Sequence, residues 1–152
     1  MCEERSIGAY TFGYSTDCDL YDLYIWMTYP KFGFCRTIKY TSKDIQEGKL
    51  TRERAIELVR DYDGEFPWRA ADRFITKTKM SEDEFWNVVE RWVGDEENIQ
   101  DGSSNLPVAA WERIGPKEWR MRKTLDGKEK ILKLPIERPL ANMPAPPETL
   151  FP

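Results

Sequence analysis

Between residues 35 and 94 the chain is cut into short helical lengths by its own punctuation, and this limits the folds open to it. Gly48 stands just before Thr51, Gly64 before Pro67, Ser81 pairs with Glu84 in an S-x-x-E pattern, and Gly94 closes the series. Glycine ends helices in the left-handed conformation that other residues resist. Threonine and serine start helices by capping free N–H groups, and proline fits a first turn. The spacing predicts helices over 35–47, 52–62, 68–77 and from Ser81 to about 92. Apolar residues recur at helical intervals within them: Ala55, Ile56, Leu58 and Val59, then Trp68, Ala71, Phe74 and Ile75, then Phe85, Val88, Val89 and Trp92. Upstream, Asp17 is a candidate cap for a helix over 18–28 with a stripe of Leu20, Leu23, Tyr24 and Met27, which Pro30 is expected to end. KFGF at 31–34 then reads as a turn.

The pattern changes after Gly94. GDEENIQDGSSNLP (94–107) reads as an acidic surface loop or linker. WRMRKTL-DG-KEKILKL (119–134) reads as a hairpin turning at Asp126-Gly127, with Trp119 and Met121 opposite Leu134 and Leu132. The expected fold is mainly α: four to five short helices, a C-terminal β-hairpin, and extended segments at both ends. The divisions are an N-terminal arm at 1–16, a helical domain with the hairpin at 17–134, and a proline-rich tail at 135–152. PIERPLANMPAPPETLFP is too rich in proline for a helix or a central strand. Its apolar residues, Leu140, Met143, Leu150 and Phe151, are spaced as in a strap over a partner; a disordered end is the competing reading.

Charge and composition exclude several functions. A net charge of −4 offers no broad basic field for nucleic acid. No apolar run has the length of a membrane span, and MCEERSIGAY is acidic where a signal peptide is basic, so a cytoplasmic location is expected. The three cysteines, Cys2, Cys18 and Cys35, form no CxxC, and their roles stay open. With no histidine, the commonest general base and metal ligand are missing, and neither a metal nor a cofactor is expected.

Candidate site residues lie in two clusters. Lys31, Phe32, Gly33 and Arg36 surround the aromatic turn, where Arg36 could grip a phosphate or carboxylate, or pair with Glu47 or Asp44. Asp61 and Asp63, before Gly64, are either a carboxylate pair or the solvated end of a helix.

Lys31-Phe32-Gly33-Phe34, Arg36, Asp44-Ile45, Glu47-Gly48, Leu50-Thr51-Arg52-Glu53, Asp61-Tyr62-Asp63-Gly64 and Phe85-Trp86 occur in an order that resembles the C-terminal part of the N-acetyl sugar amidotransferases. The resemblance spans residues 29–92 and is carried by the combination. It implies kinship with PP-loop ATPases that adenylate a sugar amide, after which ammonia from a partner glutaminase displaces AMP. The ATP loop of that family, of SGGxDS type, has no counterpart in this sequence, and Cys35 stands where the family has glycine. The function expected is therefore an accessory or partner-binding module, not catalytic alone, joined to a PP-loop protein. One alternative is a structural subunit of a larger assembly, gripping neighbours with its extended ends. Another is a fragment of a complete ATP-dependent amidotransferase.

Overall fold

The computed structural model describes residues 5–11, 20–102, 106 and 108–139. The helices are α1 (Leu20–Trp26), α2 (Thr28–Phe32), α3 (Arg36–Gln46), α4 (Arg52–Tyr62), α5 (Trp68–Thr78), α6 (Glu82–Trp92) and α7 (Glu96–Gln100). The strands are β1 (Trp111–Gly115), β2 (Glu118–Met121) and β3 (Ile131–Lys133), in one antiparallel sheet of order β1-β2-β3. Residues 6–11 and 134–139 carry neither helix nor strand. The mainly helical architecture with a small C-terminal sheet is as expected.

The punctuation works as read. Thr51 accepts from the Arg54 N–H, and Ser81 with Glu84 forms a complete capping box. Gly48 and Gly64 take φ of +71° and +86°. One boundary moves. Pro30 does not end the first helix: α1 stops at Trp26, and Pro30 lies inside α2. A first-turn N–H has no acceptor within its helix, so proline loses nothing there. Gly33, at φ +80°, ends α2 and donates its N–H to the Tyr29 carbonyl at 2.8 Å.

Two apolar clusters form. The larger gathers Trp26, Phe85 and Trp86 from the helices and Phe66 from the α4–α5 connection with Trp111 and Trp119 from the sheet. Phe66 is its centre, edge-on to Trp26 at 4.7 Å and 5.1 Å from Trp86. The smaller joins α4 and the α3–α4 connection to the N-terminal segment through Tyr10, Leu50, Leu58 and Tyr62, with Tyr40 of α3 packed against it.

The segment after α6 corrects the reading of 94–107 as a surface loop. Gly94, Asp95 and Asn98 are buried, and Glu96–Gln100 is helical. The Asp95 carboxylate accepts from the Asn98 N–H at 2.9 Å and the Trp119 indole N–H at 2.6 Å. Composition alone cannot distinguish an acid that caps and anchors from one that is solvated.

The hairpin register differs by two residues. Trp119 faces Leu132, Met121 faces Trp111 in β1, and the Met121 N–H bonds to the Lys130 carbonyl. A shift of two keeps every side chain on its face, so Trp119, Leu132 and Leu134 still point inward. The connection is a wide loop, 122–130, pinned to α4 by the ion pair of Asp126 with Arg60.

Of the tail, 135–139 is described. Ile136 packs on the large cluster, and Arg138 stacks over Trp68 at 4.4 Å while pairing with Asp72 and Glu82. Leu140, Met143, Leu150 and Phe151 lie outside the described residues, as do Asp17, Cys2 and Cys18.

Candidate functional site

The end of α4 meets the start of α3, and Asp63 joins them. Its carboxylate accepts the N–H groups of Cys35 at 2.9 Å and Thr37 at 3.0 Å, two donors that have no partner within α3. The residue is buried, and burial pushes its pKa up against the pull of these hydrogen bonds. Asp61 is exposed and does not share this site. Gly64 has its own role: a Cβ there would stand 2.4 Å from the Tyr29 ring, and its carbonyl accepts the Trp26 indole N–H at 3.0 Å. The DYDG run is thus a docking joint between helices rather than a carboxylate pair.

Arg36 is buried, and both its terminal nitrogens donate within the fold. It bonds to Asp22 at 2.9 Å and to the Ile7 carbonyl at 3.0 Å, clamping α3 to α1 and to the N-terminal segment. Its partner is neither Glu47 nor Asp44. Glu47 pairs with Lys49, and Asp44 accepts from the Tyr10 hydroxyl. Lys31 lies 3.9 Å over the Trp92 ring.

Cys35 has φ −141°, which any residue adopts, so its side chain brings no backbone penalty. Burial, then the nearby Asp63 charge, raises its thiol pKa to about 11. At pH 8 the thiolate is therefore a trace species. Peptide mapping after iodoacetamide treatment is expected to show Cys35 unmodified in the folded protein and modified in denaturant; rapid folded-state modification at pH 8 would refute this.

Beside the joint lies a cavity of about 740 Å³. Its apolar lining is Phe32, Gly33 and Phe34, Ile38, Ile56 and Val59 from α3 and α4, and Ala109, Ala110 and Met121. The loop 122–130 adds Leu125 and Lys130 with the charged residues Arg122, Lys123, Asp126 and Lys128, and Arg60 and Glu112 also contribute. Phe32 and Phe34 stack at 5.8 Å, yet remain 39% and 47% exposed, and neighbouring Val108 is 72% exposed. Of the six candidate site residues, the cavity brings together Phe32, Gly33 and Asp63; Lys31, Arg36 and Asp61 are not among its lining.

Lys130 was not singled out from sequence. Its ammonium lies 5.2 Å from the Tyr29 ring centroid and 3.4 Å from the Asp63 carbonyl, and burial lowers its pKa. Its neighbours Lys128 and Lys133 are exposed, and nothing in KEKILKL marks the middle lysine as the inward one.

Among the described residues, no helix is long and apolar enough to cross a membrane, and no group of three or more acids or cysteines is placed to hold a metal ion. The family described as LPS biosynthesis protein WbpG-like, C-terminal domain, matches residues 7–113. No curated protein and no solved structure matches the chain at a significant level.

Proposed function

The chain belongs to the WbpG-like C-terminal domains of LPS biosynthesis proteins, and from that premise we propose that it is a partner-binding module of an ATP-dependent sugar-modifying system. It docks on a PP-loop protein, is not catalytic alone, and acts in the cytoplasm. The observation that carries this reading is the uncovered aromatic corner. Phe32, Phe34 and Val108 line one cavity and leave apolar surface in water, within the family match. Large exposed apolar groups set side by side favour a protein interface. The PP-loop identity of the partner follows from the resemblance around KFGF, since this sequence contains no SGGxDS loop.

Co-expression with an SGGxDS-containing protein from the same source, followed by size-exclusion chromatography, tests this. A co-eluting complex is expected. Phe32→Ser with Val108→Asp should weaken it at least ~10-fold, about 1.4 kcal/mol, without lowering the melting temperature. ATP binding by calorimetry should appear in the complex and be absent at micromolar levels in the chain alone. A stable complex with proteins lacking that loop would favour the assembly-subunit reading instead.

A further inference from the structure

We infer that the cavity between α3, α4 and the 122–130 loop is a binding site for a small amphiphilic acid: an apolar body carrying one carboxylate or phosphate, with the anion at Lys130. The inference goes beyond partner binding and concerns the chain alone.

The size fits. A volume of about 740 Å³ lies within the ~300–1,000 Å³ of small-molecule pockets. The walls select the body. Ile38, Ile56, Val59, Ala109, Ala110 and Met121 all line the cavity, and none of these side chains can hydrogen-bond a hydroxyl. A polyhydroxylated ring would lose its water against these side chains and gain no hydrogen bond from them. An aromatic or aliphatic body gains contact with them, and Phe34 offers a further ring face.

Lys130 selects the head group. An ammonium has three donors. The one described bond is the long one to the Asp63 carbonyl, at 3.4 Å. The Asp63 carboxylate is near enough to offset part of the charge, but each of its oxygens already accepts an N–H that opens α3, and the bond Lys130 makes to this residue goes to the backbone carbonyl. Of the other cations that line the cavity, Arg60 is paired with Asp126 and Arg122 with Glu96, and Lys123 and Lys128 are exposed. Lys130 is therefore a half-buried charge, with donors to spare, in a cavity whose lining is mainly but not wholly apolar. A ligand anion would complete its hydrogen bonding where water is scarce, and charge-assisted bonds are strongest there.

Calorimetric titration of the full chain with naphthoate, naphthyl phosphate and the neutral analogue naphthol tests the site. Both anions, or one of them, should bind at least ~10-fold more tightly than naphthol, and which one wins identifies the head group. Lys130→Met keeps the stem and removes the charge, so the preference over naphthol should vanish. Phe34→Glu places a like charge at the half-exposed rim and should weaken the anions at least ~10-fold with the melting temperature preserved. If Lys130→Met does not fold, Phe34→Glu decides. The inference is overturned if naphthol binds as well as the anions, if the preference survives either variant, or if no naphthyl compound binds. None of these results depends on whether a PP-loop partner is found.

Discussion

Gly94→Ala is expected to destabilise the domain by at least about 3 kcal/mol, a large share of the ~5–15 kcal/mol that holds a domain folded. A Cβ at Gly94 would stand 2.0 Å from the carbonyl oxygen of Lys31 and 3.1 Å from its carbon. The obstacle is backbone, so no rotamer change relieves it. The site is also a three-way joint. The Gly94 N–H donates to the Pro30 carbonyl at 2.9 Å, and its own carbonyl accepts from Ala110 at 2.9 Å and Trp111 at 3.1 Å. Moving α2 away to admit a methyl group would break the bond to Pro30 and disturb the start of β1. Gly48 supplies the control. It has φ +71° and nothing within 4 Å of a built Cβ, so Gly48→Ala should cost only the left-handed backbone penalty of about 1–2 kcal/mol. Urea denaturation of the two variants separates the effects. Equal losses would mean that the close approach of Gly94 to α2 is wrong.

Gly94 also shows where reading the sequence succeeds and where it stops. Its place at the end of α6 follows from local rules, as do the Thr51 cap, the Ser81 box and the turn at Gly64. Such features depend on residues a few positions apart. That Gly94 must be glycine to pass under α2 depends on Lys31, sixty-odd positions away in the chain, and no local pattern records it. The buried Asp95 was invisible for the same reason: its partner Trp119 belongs to a strand that comes later. Strand β1 was missed because WERIG buries only Trp111 fully, so it lacks the alternation that marks a half-buried strand.

The cavity lining was legible in part. Phe32, Gly33 and Asp63 stand out in the sequence because unusual residue types are concentrated there. Their division of labour was not legible. Arg36 reaches back to Asp22 rather than forward to Glu47, so what the sequence offers as an anion grip is a clamp in the fold. The cavity itself needs the 122–130 loop to fold over α4, and the charge placed in it comes from one lysine among several of equal appearance. Long-range docking decides both.

Asp63→Ala carries the other large expectation: a loss of about 3–5 kcal/mol, the range for removing one member of a buried charged arrangement. Three consequences add. The Cys35 and Thr37 N–H groups at the start of α3 lose their acceptor in a place water does not easily reach. The α3 N-terminus loses the negative charge its dipole favours. Lys130 loses the nearest opposite charge that offsets its burial. Asn is no remedy, since its single carbonyl oxygen can serve only one of the two N–H groups and its amide would face the other. Asp63→Asn should therefore lie between Ala and wild type, at about 2 kcal/mol. The pH dependence distinguishes a buried acid from a surface ion pair. Burial raises the folded pKa of Asp63 above the ordinary carboxylate value, so the folded state holds the proton more tightly than the unfolded one. Its contribution is then fully present below the unfolded pKa and is lost as pH rises through the folded one. Subtracting the pH–stability curve of Asp63→Asn from that of wild type isolates this contribution. The wild-type excess should shrink with rising pH from the ordinary carboxylate pKa upward. An excess that grows over that interval would show that the N–H bonds and Lys130 outweigh burial, and that Asp63 is held as a stabilised anion.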